Sequence, residues 1–188
     1  MKRTLIASIL GIAASVVSSY GNGFIWFNTY VVNNYQGAPV TYYPGSSPVS
    51  GLWNVQMAYY VGTGITDPSS SNSLLSNWNL DGAVVNTTFF DKGYVAVSPS
   101  YSIPAYPSTG GVPVELEMLV FNGVSYAGST IRAHSAAFTL PSIAVGVELP
   151  TTMNGLVGFS LIPEPSTFAL AGLGAAGWLS FRRRNGAR

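Results

Sequence analysis

From about residue 22 to residue 161 the chain sets short runs of β-branched and aromatic residues between clusters of Gly, Pro, Ser and Asn, and no stretch keeps a helical period. A chain written this way buries its apolar side chains by pairing strands. The runs predict strands at 24–32, 55–61, 83–90, 93–97, 112–121, 136–140 and 155–162. Short strands at such spacing predict an all-β fold, a single antiparallel β-sandwich or jelly-roll-like domain. The segment 112–121 alternates most cleanly: Val112, Val114, Leu116, Met118 and Val120 share one face, and Glu115, Glu117 and Leu119 share the other. That pattern predicts a core face and a mostly wet face. Residues 63–79, with Pro68 and a serine-rich run, read as a long surface loop.

A length of 188 residues leaves room for one domain with a real core once the ends are set aside. The charges are few, 8% of the chain, and unevenly placed. Lys2 and Arg3 stand at one end, and Arg182, Arg183, Arg184 and Arg188 at the other. Between about Asn22 and Leu161 only Lys92 and Arg132 are basic, against six acidic residues, so the body carries −4. Such a body offers no electrostatic footprint for nucleic acid. The absence of cysteine excludes thiol catalysis, disulfides and cysteine metal sites.

Both ends read as targeting segments. Residues 1–21 run from Lys2 and Arg3 through the apolar stretch from Leu5 to Val17 into small residues, the order of a secretory signal peptide. A cut after Gly21 or after Ser19 satisfies the small-residue demand of a signal peptidase. Residues 162–188 form the second segment. Pro163, Glu164 and Pro165 hold an extended, helix-breaking kink, because each proline fixes its own φ and Pro165 biases the residue before it. Ser166 or Thr167 then caps a predicted membrane-spanning helix over 166–181. Sixteen residues make roughly 24 Å of helix, just enough for a bilayer core of about 30 Å if the flanking arginines snorkel. Arg182, Arg183 and Arg184 stop transfer and stay on the cytoplasmic side, which leaves everything before Pro163 outside. Gly172 and Ala176 give that span a small-residue face.

A Pro-Glu-Pro motif, a span and an arginine cluster, in that order at the C-terminus, resemble the PEP-CTERM sorting signal of Gram-negative bacteria. The resemblance implies processing by an exosortase, a membrane transpeptidase-like enzyme, with Pro163, Glu164 and Pro165 as recognition residues and delivery to the cell surface or an exopolysaccharide matrix. The body also resembles small PEP-CTERM proteins of Verrucomicrobia-type bacteria, through Gly23-Phe24-Ile25-Trp26-Phe27-Asn28 near its start and Gly158-Phe159-Ser160-Leu161 near its end. That likeness implies no activity.

Candidate chemistry in the body is sparse. His134 is the only histidine, so a site built on two or three histidines is excluded, and the residue is expected on a loop or strand surface. Glu115 and Glu117 form the one carboxylate pair that suggests a hydrolase, or a calcium site helped by Asp81 or Asp91. Tyr42, Tyr43, Trp53, Tyr59, Tyr60 and Trp78 supply enough aromatic surface for a carbohydrate-binding module in a polysaccharide matrix. No pattern calls for a cofactor or a metal ion. The leading expectation is a non-enzymatic, structural or adhesive surface protein, with exosortase and the membrane as partners, polysaccharide as the further candidate and nucleic acid excluded.

Overall fold

The structure is a computed structural model, and it describes residues 20–43, 47–67 and 74–163. The expected signal segment up to residue 19, the membrane helix at 166–181, and Glu164, Pro165, Arg182, Arg183 and Arg184 lie outside the described residues. Within them the fold is all-β. Twelve strands occur in chain order: β1 (Tyr20–Asn28), β2 (Val40–Tyr42), β3 (Ser47–Pro48), β4 (Gly51–Val61), β5 (Val85–Phe89), β6 (Ala96–Pro107), β7 (Val114–Phe121), β8 (Ile131–His134), β9 (Phe138–Leu140), β10 (Ala144–Val145), β11 (Thr151–Thr152) and β12 (Phe159–Pro163). One helical turn, α1 (Val32–Tyr35), follows β1.

The strands form two sheets. One pairs β1 with β6 along one edge and with β10 and then β11 along the other. The other runs β3-β2-β12-β8-β7-β4-β5, with β9 also on β7. A common core joins them: Ile25 and Phe27 of β1 and Tyr101, Ile103 and Tyr106 of β6 pack with Val55 and Met57 of β4 and Leu116, Met118 and Val120 of β7. The expectation of a purely antiparallel fold is corrected in two places. β11 lies parallel to β1, and β12 lies parallel to β2. Each parallel pair joins segments far apart in the chain, where no hairpin dictates the direction.

Alternation explains β1, β4 and β7, whose inward residues match the apolar rows of the sequence. β6 departs from it. The expected strand at 93–97 is a turn through Asp91, Lys92 and Gly93, followed by a far longer strand that runs through Pro99, Pro104 and Pro107. Among the described residues its only strand partner is β1, so prolines that would break an internal ladder are tolerated. Ala105, at φ 56°, inserts a bulge that turns Tyr106 back into the core after Tyr101 and Ile103. The buried Tyr106 hydroxyl donates to Val112 O at 2.5 Å and accepts from Val112 N and Ile143 N, both at 3.2 Å.

The expected strand at 24–32 ends early because Thr29 leaves the ladder. Its side-chain oxygen accepts from Val95 N at 3.0 Å, and the chain then turns into α1. Asn33, at φ 53°, clamps that turn to the far end of the chain, accepting from Gly155 N at 2.8 Å and donating to Leu156 O at 2.9 Å. At 155–162 the strand begins only at Phe159 and continues through Pro163, two residues past the expected domain boundary at 161. At the other end β1 includes Tyr20 and Gly21, which pair with Pro107 and Tyr106.

Candidate functional site

Two places carry the residues singled out by sequence: the junction where the sheet meets the C-terminal tail, and the outer face of β7. The junction is built by β12. Phe159, Ser160 and Leu161 pair with Val40, Thr41 and Tyr42 on one side, while Ile162 and Pro163 pair with Arg132 and Ile131 of β8 on the other. Thr41 and Ser160 share a hydroxyl hydrogen bond at 2.8 Å. β12 is therefore an internal strand, and its last residue is the first proline of the Pro-Glu-Pro triplet. Proline fits a strand terminus because no further ladder donor is required of it. The rest of the motif lies outside the described residues. Residues 161–184 match the PEP-CTERM protein-sorting motif. The match starts inside β12, at Leu161, and reaches through the arginine cluster. The PEP-CTERM motif marks an exosortase substrate and implies export with membrane-associated sorting toward the cell surface. Comparison with curated proteins and with solved structures gives no match. Among the described residues no helix is long and apolar enough to cross a membrane.

The outer face of β7 is not wet, which corrects the reading of 112–121. Leu119 and Phe121 pack with Ala58, Leu75, Trp78 and Tyr126 in a second apolar cluster on the far side of the sheet from the main core. The segment after β4 roofs this face and is tied to it by polar contacts. Glu115 accepts from Gly64 N at 2.8 Å and Ile65 N at 3.0 Å. Gln56 donates to Leu80 O and Gly82 O, each at 2.7 Å, and Asn79 exchanges backbone hydrogen bonds with Tyr59. Asp81 accepts from the Tyr59 hydroxyl at 2.6 Å. The carboxylates expected to work as a pair therefore separate in role: Glu115 anchors the roof, and Glu117 lies beneath it with no exposed surface.

His134 is likewise buried, at 2% exposure, and not on the surface as expected. A bulge puts it beside Glu117. His134 pairs with Leu119 and Phe138 with Leu116, so three residues, 135–137, stand opposite the two at 117 and 118. Ser135 holds the bulge by a backbone bond to Met118 O at 2.9 Å and by accepting from Met118 N through Oγ at 3.0 Å. At this break His134 Nδ1 comes within 3.0 Å of Glu117 Oε2 and 2.9 Å of Ser135 O. A neutral ring offers at most one proton at that nitrogen, so it cannot serve both oxygens. Neither Glu117 oxygen has a hydrogen bond of good geometry. Asp67, at the exposed rim, completes a cluster whose donor atoms all lie within 4.8 Å of one another, and its Oδ2 accepts from Ala137 N at 2.9 Å. Burial holds the Glu117 carboxyl above the usual carboxylate range, His134 pulls it back in part, and Asp67 pushes it further up. Asp81 and Asp91, named above as helpers, take no part in this cluster.

The aromatic set does not form one platform. Tyr59, Trp53 and Trp78 are buried, and Tyr42 leans on Trp53 at a centroid distance of 6.3 Å. Tyr43 and Tyr60 remain exposed, on opposite sides of the three strands that separate β2 from β4, about 19 Å apart at the usual strand spacing. A shallow cavity of about 200 Å³ lined by Thr66, Leu74, Leu75, Ser76, Asn77 and Trp78 has no charged residue in its wall.

Proposed function

We propose that this chain is an exported β-domain displayed at the cell surface in a structural or adhesive, non-catalytic role, after an exosortase has processed its tail. The observation that carries the reading is the sorting motif that begins within the last strand of a folded domain. The membrane helix at 166–181 and the cluster Arg182, Arg183 and Arg184 would hold the chain at the bilayer with its body outside while Pro163, Glu164 and Pro165 are engaged. At the N-terminus, a signal-peptide cut after Ser19 keeps β1 whole, whereas a cut after Gly21 removes two residues paired with β6, so we place it after Ser19. The lack of charge around the described cavity and the anchoring task of Glu115 support a non-catalytic reading.

Replacement of Pro163, Glu164 and Pro165 by alanine is expected to leave the protein in the inner membrane, read by fractionation of the producing cells. Glu164→Ala alone, which leaves every residue of β12 unchanged, should show the same defect. Normal surface delivery of both variants would overturn the reading.

A further inference from the structure

Two carboxylates and the imidazole of His134 meet at the buried end of β8. Glu117 is fully enclosed, and neither of its oxygens has a directed hydrogen bond. An enclosed carboxylate without donors costs several kcal/mol. A second carboxylate, Asp67, stands beside the same point, and the imidazole nitrogen next to them is also 2.9 Å from Ser135 O, so one ring proton there cannot serve every oxygen around it. Even a protonated His134 would leave the three side chains at a net charge of minus one. We propose that Asp67, Glu117 and His134 bind a divalent transition-metal cation, of which zinc is the best fit.

The geometry suits one ion. Donors around zinc stand about 2.0–2.2 Å from the metal, so neighbouring donors lie roughly 3–3.5 Å apart. His134 Nδ1 and Glu117 Oε2 are already at 3.0 Å, and Asp67 is near enough to close the set by a side-chain turn at the exposed rim. A cation in place of the ring proton serves all three groups at once, where a proton serves one. Two carboxylates with a neutral imidazole cancel a charge of two. The mixed nitrogen and oxygen set selects zinc-like ions over calcium, which takes six or more oxygens. Three protein ligands leave a position for water, and Asp67 gives the ion its way in from solvent.

Because the chain has a single histidine, the ligand can be watched directly. The untagged full-length chain, labelled with ¹⁵N-histidine, purified in detergent and stripped with a chelator, is titrated with zinc chloride. The expected result is saturation at one equivalent, displacement of the imidazole nitrogen signals and a higher melting temperature. Asp67→Asn keeps an acceptor for Ala137 N and should melt like the parent without metal, yet bind zinc about tenfold or more weakly through loss of a ligand. Glu117→Gln should abolish the response, and excess calcium should not compete. Imidazole signals unmoved by zinc, zinc binding unchanged in Asp67→Asn, or displacement of zinc by calcium would each overturn the proposal. Should Glu117→Gln fail to fold, the Asp67 variant and the calcium competition decide.

Discussion

Tyr101 shows how much a single hydroxyl holds together in this fold. It accepts from Met57 N at 3.2 Å and donates to Ala83 O at 2.6 Å, and its ring meets Phe27 edge-on at 5.1 Å. The hydroxyl thus ties a β6 side chain to the backbone of β4 and to the stretch before β5. Burial pushes its pKa from 10.0 up to about 12, the hydrogen bond from Met57 works against the rise, and Asp81 adds to it. A proton held more tightly in the folded state gives stability that is complete below pH 10 and fades as the pH rises toward 12. Alkaline unfolding is therefore expected, with a loss of up to about 2–3 kcal/mol over that range from this group. Tyr101→Phe should lower stability at neutral pH and flatten the slope between pH 10 and 12, read by urea melts at stepped pH. An unchanged slope would remove Tyr101 from the account.

At the scale of elements, the turn before β6 governs whether β2 can seat. Gly93 has φ +84°, and its carbonyl accepts from Val40 N at 2.9 Å. A side chain there would collide with Val40 O. Gly93→Ala combines a left-handed backbone with that collision, and should cost about 2–4 kcal/mol, seen as a lower melting temperature and as faster hydrogen exchange at Val40. The same element scale shows what can be read without coordinates. β4 and β7 were legible because eight or more residues alternate. β6 was not, because three prolines argue against a strand unless it is known to pair on one side over most of its length. β2, β3, β10 and β11, of two or three residues each, exist only through their partners and leave no local pattern. For Glu117 and His134 the sequence shows one core face. The roof that buries the second face is assembled by long-range contacts such as Gln56 to Leu80 and Glu115 to Gly64. Asp67 gave no signal at all, since its proximity to Glu117 follows from that roof. The PEP-CTERM motif was legible, because its information is linear order and not packing.

For the molecule as a whole, β12 closes the larger sheet. Among the described residues it is the only link between the β2-β3 pair and the β8-β7-β4-β5 block along that sheet. A chain ending at Gly158 should lose its cooperative thermal transition by circular dichroism, while one ending at Pro163 should keep a melting temperature close to that of the intact body. Equal behaviour of the two would show that β12 is dispensable. The placement of this strand also sets a timetable. The ribosome makes it after every other described strand, and a secretion channel would pass it after them, so the larger sheet keeps an open slot until β12 arrives. Final closure then waits on the very residues where the sorting motif begins, so the handle for sorting is joined to a body that becomes whole only with it.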